Sequence, residues 1–382
     1  MATTVAIGGY REAAQAKLGA LTGVPAGNLT YWKLGNSFDT MIDYLDHVDD
    51  GAAAAVARMV ARQYGPALDG LGGYGGAWFD DLGWWTVATL RGGSRSYFDA
   101  RFRGFLGNIG ENCWSHFAEN APFVWERRIR SPDKFAGYRP ALEGGVWNEY
   151  WTGTTGYSGP NDGDPSSGTL HGIQNTVTNT LFLMAAQRLP APGFAQRELG
   201  FLYGWFNASP NPLWWPQNPM GTAALVRERV SHFANGTEDS GFKAGWAWTG
   251  DQGLVIGALA DRMRMPDVKP EERAELLGRT RALLQGVAQS LAVGGVLQPW
   301  NDPSGVPQGD WSDYETGTGV FWRNVLHAWN TVPELRPTID AFPFQNLLRG
   351  SADAAARSDN RGNGTALTND VSVLVAAVVM LS

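Results

Sequence analysis

Apolar residues recur at steps of three and four along most of this chain, and this periodicity limits the possible folds more than any other feature. One clear pattern, formed by Val177, Leu181, Met184 and Ala185, ends at Pro190. Further clear patterns lie in 52–64, 254–263 and 271–293, and weaker ones in 8–22, 37–48, 82–91, 95–120, 193–206, 315–331, 336–357 and 367–381. No alternation of apolar and polar residues flanks an Asn-Gly or Asp-Gly pair, so no hairpin is expected. The sequence therefore predicts an all-α fold of about a dozen helices.

Long loops rich in Gly and Trp separate these helices. They lie in 70–76, 144–168, 207–219, 235–250 and 298–313. Paired antiparallel helices that alternate with such loops favour a closed toroid, an (α/α)6 barrel whose loops line one mouth. No low-complexity linker divides the chain, so we expect one domain over 1–382. The helix in 52–64 is expected to end at Gly65-Pro66.

Composition and charge exclude several classes of protein. The chain has 382 residues and a formal net charge of −7, and no run of Lys or Arg could follow a phosphate backbone, so no nucleic-acid partner is expected. A single cysteine, Cys113, excludes a disulfide within the chain. The apolar stretch Val371–Leu381 is shorter than the ~18 to 20 residues that cross a bilayer, so we expect a buried helix and no membrane span. Met1–Leu21 carries Arg11 and Lys17 and does not resemble a signal peptide. We expect a monomer.

Aromatic residues and glycine are abundant: 17 Trp, 17 Phe, 11 Tyr and 49 Gly. Flat aromatic faces beside permissive backbone suit the apolar faces of sugar rings. This composition indicates a carbohydrate as the ligand class.

Two adjacent carboxylates, Asp80 and Asp81, follow a glycine-rich loop and are flanked by Trp78, Trp84 and Trp85. Hydrolysis of a glycosidic bond with retention needs two carboxyls about 5 to 5.5 Å apart, one as nucleophile and one as acid/base. Neighbouring residues at the start of a helix can meet that spacing. The alternative is that one aspartate only caps the helix.

Two further polar groups open predicted helices. Asn175 and Asn179 are spaced by four and share a helical face, where their amides could bind vicinal hydroxyls. The alternative is a helix cap at Asn175 and a buried, hydrogen-bonded amide at Asn179. Trp248, Asp251 and Gln252 form a second group of an aromatic ring, an acid and an amide, in which Asp251 could also be only a cap.

The chain resembles glycoside hydrolase family 76, the endo-α-1,6-mannanases, over roughly residues 35 to 330. The acid pair with its double tryptophan, the Asn175 helix and the Gln252-Gly253 helix are similar to family motifs, as is Gly144-Gly145-Val146-Trp147-Asn148. The resemblance implies an (α/α)6 barrel and a retaining glycosidase with Asp80 as nucleophile and Asp81 as acid/base. It implies sugar contacts from Trp78, Trp84, Trp85, Trp147, Asn148, Asn175, Asn179, Trp248, Asp251 and Gln252. The chain departs from the family pattern at Gln174 and Asp251.

Two other functions remain open at this point. A sugar 2-epimerase on the same toroid would use two facing histidines as acid and base. A glycan-binding protein without activity would keep only the aromatic groove. The five histidines are scattered without a metal-binding pattern, and Asn161-Asp162-Gly163-Asp164-Pro165 lacks the later ligands of a calcium loop, so we expect neither metal nor cofactor.

We predict that EDTA leaves the rate of α-1,6-mannan hydrolysis unchanged, because a mechanism based on two carboxylates needs no metal. The measurement is the release of reducing ends with and without the chelator. A rate that EDTA abolishes and calcium restores would contradict this and would indicate Asp162 and Asp164 as ligands.

Overall fold

The protein is described by a computed structural model, which covers residues 7–48, 51–130, 145–146, 172–207, 214–216, 223–232, 247–301 and 314–382. Within these ranges, twelve helices have 13 residues or more. They are α1 (Ile7–Thr22), α2 (Tyr31–His47), α3 (Ala53–Asp69), α4 (Phe79–Gly93), α5 (Ala100–Arg130), α6 (Thr176–Arg188), α7 (Pro192–Asn207), α8 (Thr249–Met263), α9 (Pro270–Ser290), α10 (Gly317–Thr331), α11 (Phe342–Arg357) and α12 (Gly364–Met380). Short helical turns cover Tyr74–Gly76, Pro333–Leu335 and Arg336–Ile339.

Six short strands form three antiparallel pairs among the described residues. They are β1 (Gly172–Asn175) with β4 (Arg229–His232), β2 (Trp214–Pro216) with β3 (Ala224–Val226), and β5 (Ala292–Val293) with β6 (Val296–Leu297). The expectation of no hairpin is wrong for β5 and β6. Gly294 and Gly295, with φ of 60° and 78°, supply the two positive-φ positions of a tight hairpin turn, where a helix end alone was expected.

The six even-numbered helices form a closed inner ring, since each packs against the next and α12 packs against α2. The closing pair is tied by hydroxyl groups, with Ser37 to Thr368 at 2.6 Å and Thr40 to Ser372 at 2.8 Å. Each odd-numbered helix packs outside an inner helix. The fold is therefore the predicted (α/α)6 barrel.

Neighbouring inner helices run parallel, which the contacts between α8 and α10 illustrate. Gly253 near the start of α8 faces Phe321 near the start of α10, and Asp261 near the end of α8 bonds His327 near the end of α10. A Cβ on Gly253 would overlap the Phe321 backbone, so only glycine permits this close approach. All inner helices thus begin at one mouth of the barrel and end at the other.

Charged side chains occupy the barrel interior from the middle of the inner helices to the end where these helices finish. Arg91 of α4 bonds Asp39 at 2.6 Å and also Asp43, and Arg323 of α10 bonds Asp39 at 3.0 Å. Burial by itself would raise the pKa of Asp39, but Arg91 and Arg323 outweigh it and hold that pKa below its ordinary value. These ion pairs tie α2, α4 and α10 together.

A second buried ion pair joins α6 to α8. Arg188 bonds Asp261 at 2.7 Å, and His327 of α10 lies 2.7 Å from the other oxygen of the same carboxylate. Burial opposes ionisation of Asp261, yet Arg188 and His327 hold its pKa well below its usual range. Buried charge pairs therefore join the inner helices toward the far end of the barrel.

The sequence predicted most helices within a few residues, but it placed the end of one helix wrongly at a proline. The helix in 52–64 does not end at Gly65-Pro66 but continues to Asp69, because burial of Gln63, Tyr64 and Ala67 against the ring outweighs the backbone bond that Pro66 cannot make. The apolar stretch Val371–Leu381 belongs to the buried inner helix α12, as expected. None of the described helices combines the length and apolar character that crossing a membrane requires.

We predict that Gly253→Ala lowers the free energy of unfolding by about 1–3 kcal/mol, since its methyl group overlaps the α10 backbone. The matched control is Gly278→Ala on exposed α9, where an added Cβ meets nothing within 4 Å. That change is expected to stabilise by about 0.4–1 kcal/mol. Chemical denaturation measures both. Equal effects would contradict the close packing of α8 on α10.

Candidate active site

The mouth at which the inner helices begin brings together residues far apart in the sequence. Asp80 and Asp81 lie in the first turn of α4, Asn175 precedes α6, and Trp248 and Asp251 stand at the start of α8. This grouping follows from the parallel packing of the inner helices.

The acid pair occupies the second and third positions of α4. Trp78 is the capping residue, and its backbone N–H donates to Asp81 Oδ2 at 3.0 Å. Asp81 is 7% exposed and Asp80 is half-buried. The start of a helix favours negative charge, so this position suits two carboxylates. Asp81 makes a capping contact, and that contact also fixes the direction of its carboxyl group.

A wall of neutral groups from α2, α3, α5 and the turn Tyr74–Gly76 stands near Asp81. Burial raises the pKa of the Cys113 thiol to about 12, and the Asp81 charge contributes to that shift. Cys113 Sγ lies 3.1 Å from Tyr31 Oη, which lies 3.4 Å from Tyr64 Oη, and Tyr64 bonds Tyr74 at 2.7 Å. Asp81 is therefore close enough to this cluster for its charge to raise the pKa of the Cys113 thiol.

The two tryptophans that follow the acid pair take different places. Trp85 is 0% exposed, donates from Nε1 to the Tyr31 carbonyl at 2.8 Å and packs edge-on against Tyr64. It has no face for a sugar, so the predicted contact from Trp85 is corrected to core packing. Trp84 lies over the guanidinium of Arg323 at 5.8 Å and is also buried. Trp78 alone of these three predicted tryptophans is half-buried at the mouth.

Trp32 is an aromatic residue at the mouth that sequence reasoning missed. It stands in the first turn of α2, is half-buried, and its ring centroid lies 6.1 Å from that of Trp84. Periodicity indicated a helix only from residue 37, which left Trp32 in a loop. The signal available was Thr30, a favourable helix-capping residue, immediately before Tyr31-Trp32.

The predicted amide ligands are engaged within the protein. Asn175 caps α6 by accepting from Thr178 N at 3.0 Å. Asn179 and Gln252 are buried, and both hydrogens of each amide group are already donated to backbone carbonyls. Neither amide has a donor left for a sugar hydroxyl, which corrects the predicted contacts. The alternative interpretation, a cap at Asn175 and a bonded amide at Asn179, describes the structure.

The structure describes two of the four remaining residues that were predicted to contact the sugar. Trp248 donates from Nε1 to the Tyr314 carbonyl at 2.9 Å and is 6% exposed. Asp251 is fully buried in the first turn of α8. Trp147 and Asn148 lie outside the described residues.

Metal ligands and paired histidines are not found at the mouth within the described part of the chain. No group of three or more potential ligand side chains occurs there. Of the histidine side chains that are described, His47 and His327 lie near the ends of α2 and α10, and His116 lies on outer α5, stacked on Tyr74. These three do not converge as an epimerase would require.

Comparison with solved structures finds the same fold in glycan-processing proteins. An inactive variant of an α-1,6-mannanase from Salegentibacter sp. HEL1_6, with two consecutive aspartates replaced by asparagine and α-1,6-mannotriose bound, has 14% identity and a TM-score of 0.65 over 97% of this chain and 99% of that chain. A family 76 glycoside hydrolase (mannosidase) from Bacteroides thetaiotaomicron has 10% identity and a TM-score of 0.59 over 97% and 98%.

A third similar structure is Dfg5 from Chaetomium thermophilum in complex with glucosamine, with 14% identity and a TM-score of 0.55 over 90% of this chain and 80% of that chain. No protein-family model matches the chain, and no curated protein matches it either. These likenesses show that the chain has the barrel fold of the family 76 glycoside hydrolases.

Proposed function

We propose that this protein is a retaining glycoside hydrolase that cleaves the α-1,6-linked backbone of a mannan, with Asp80 as nucleophile and Asp81 as acid/base. The observation that carries the proposal is the position of two consecutive carboxylates in the first turn of an inner helix, at the mouth of the barrel. Asp80 is half-buried, while Asp81 is more deeply placed.

The structural neighbours support this assignment. The Salegentibacter enzyme is inactive when two consecutive aspartates are replaced, and it binds α-1,6-mannotriose. This chain contains two pairs of consecutive aspartates, Asp49-Asp50 and Asp80-Asp81. The first follows the last turn of α2 in the sequence, whereas the second opens α4 at the mouth. Asp80-Asp81 is therefore the pair proposed to carry the chemistry.

The proposed reaction has two steps. Asp80 attacks the anomeric carbon and forms a glycosyl ester while the bond to the leaving oxygen breaks, and Asp81 gives that oxygen its proton. Asp81 then removes a proton from water, and the water oxygen attacks the anomeric carbon and releases Asp80. The hydrogen bond from Trp78 N to Asp81 Oδ2 orients the carboxyl during both transfers.

We predict that Asp80→Asn abolishes turnover of α-1,6-mannan, because it removes the nucleophile. Asp81→Asn is expected to do nearly the same for natural substrates, whose leaving oxygen needs the proton. An aryl glycoside with an activated leaving group should partly restore glycosylation in Asp81→Asn but not in Asp80→Asn. NMR of early products should show that the anomeric configuration is retained.

Asp99→Asn is the matched control, since Asp99 caps α5 through a 2.7 Å bond to Phe102 N. It should match the parent rate. Inversion at the anomeric carbon, or full activity in Asp80→Asn, would show that the pair only caps α4.

We predict that Trp32→Ala weakens binding of α-1,6-mannotriose roughly threefold to tenfold, because a stacked ring is worth about 0.5–1.5 kcal/mol. Isothermal titration in the Asp80→Asn background measures this without turnover. Trp329→Ala is the control: this ring lies in the last turn of α10, at the opposite end, beneath the Arg336 guanidinium. Equal affinities for the two variants would contradict the placement of Trp32 in the sugar site.

A further inference from the structure

Asn179 and Gln252 make the same set of hydrogen bonds at the starts of two different inner helices. Each lies four residues after its helix-capping residue, Asn175 in α6 and Trp248 in α8. Asn179 Nδ2 donates to the Asn175 carbonyl at 2.8 Å, and Gln252 Nε2 donates to the Trp248 carbonyl at 3.0 Å. One hydrogen of each amide therefore holds its own helix start.

The rest of each amide pairs with one backbone residue from another part of the chain. Asn179 Oδ1 accepts from Val146 N at 2.7 Å, and Nδ2 donates to the Val146 carbonyl at 3.1 Å. Gln252 makes the matching bonds to Val226, with 2.8 Å for each. Each side-chain amide thus pairs with the backbone as a residue of a neighbouring β-strand would, because it offers the same donor and acceptor.

Each amide and the distant backbone residue that it binds form a clamp: Asn179 with Val146, and Gln252 with Val226. Both clamps are closely fitted. Asn179 is 1% exposed and Gln252 is 0% exposed, so a lost partner would leave a buried polar group without a hydrogen bond. Gly145 precedes the first clamped residue with a φ of 59°, and an added Cβ would lie 2.7 Å from Asn179 Oδ1 and 2.6 Å from the Phe201 ring. Only glycine is compatible with this approach.

Each clamped residue adjoins a tryptophan, either along the chain or across a strand pair. Val146 is followed directly by Trp147. Val226 belongs to β3 and pairs with Trp214 of β2, while Leu225 pairs with Trp215. The two clamps therefore connect the inner helices that flank the mouth to two backbone segments whose neighbours are tryptophans.

We propose that Asn179 and Gln252 are positioning residues for the glycan: they hold these two backbone segments against α6 and α8, and so set affinity for a long oligosaccharide without touching it. This rests on the proposed function. Loss of a clamp is expected to act on binding along the glycan, whereas bond cleavage depends on the acid pair of α4.

The test uses Asn179→Leu and Gln252→Met, which keep a side chain of similar length and remove the hydrogen bonds. The probe is α-1,6-mannotetraose, and KM, kcat and the Kd in the Asp80→Asn background are measured. We expect KM and Kd to rise roughly tenfold and kcat to change less than threefold, as loss of uniform binding does. Asn324→Leu is the matched control, because among the described residues this buried amide donates only to Val320 of its own helix, at 2.9 Å. It should behave as the parent.

A second variant addresses the first clamp from its other side. Gly145→Ala leaves α6 intact and moves the Val146 backbone away from Asn179, so it should reproduce the rise in KM of Asn179→Leu. The double variant Gly145→Ala/Asn179→Leu should then bind α-1,6-mannotetraose no more weakly than the weaker-binding single variant, because both substitutions remove the same interaction. Hydrogen exchange should be faster at Val146 N in Asn179→Leu and at Val226 N in Gln252→Met.

The outcomes separate this inference from the proposed function. If the parent neither binds nor cleaves α-1,6-mannotetraose, the proposed function fails and the inference falls with it. If the parent is active but the variants keep its KM, or if Gly145→Ala and Asn179→Leu have additive effects, the positioning role alone is overturned. A kcat that falls as much as KM rises would assign the two amides to the folding of the mouth rather than to binding.

Discussion

The parallel packing of six inner helices is the constraint on which the rest of the structure depends. Helices packed side by side in the same direction align their dipoles, so partial positive charge gathers at one mouth and partial negative charge at the other. The sequence compensates at both ends. Asp80, Asp81 and Asp251 stand in first turns, and Arg91 and Arg188 stand in last turns. The end that attracts carboxylates is therefore the end where a chemistry based on carboxylates can be built.

Charge pairs at the far end make this arrangement rigid. Asp39 and Asp261 keep their depressed pKa values only while the arginines stay in place, and those arginines come from other inner helices. Breaking such a buried pair costs about 3–5 kcal/mol, since it leaves an uncompensated charge. The mouth, in contrast, is joined largely by amide and backbone hydrogen bonds, which hold segments without adding charge beside the acid pair. The buried charge pairs thus lie toward the end of the barrel opposite the proposed site.

Much of the fold could be predicted because helix periodicity records which face is buried. The pattern from Val177 to Ala185 predicted α6 almost to the residue, since every apolar position in it packs inward. Periodicity could not show that α2 begins at Tyr31, because every residue from Leu34 to Leu45 is buried, polar ones included, so no single apolar face marks the helix. It could not identify β1 to β4 either, since their partners are set by contacts far apart in the chain.

The site was predictable in residue type but not in role. The spacing of Asn175 and Asn179 places both on one face, yet it does not show whether that face meets a sugar or a passing backbone. Val146 occupies it, which no local pattern could reveal. In the same way, Trp84 and Trp85 are the same residue type at adjacent positions, and only the position of Tyr31 shows that Trp85 belongs to the core.

The division of labour that we propose for the acid pair requires one proton on two carboxylates at a helix start, a position that favours both as anions. The surroundings of Asp81 bear on this balance. Burial raises the pKa of Tyr31, Tyr64 and Cys113, so this wall of hydroxyls and a thiol is neutral at pH 7 and offers no positive charge to the pair. Two like charges in adjacent residues repel most strongly where burial lowers the local dielectric. The one shared proton that we propose therefore depends on repulsion within the pair itself, because the neutral wall beside Asp81 offers no counter-charge that would let both carboxylates ionise.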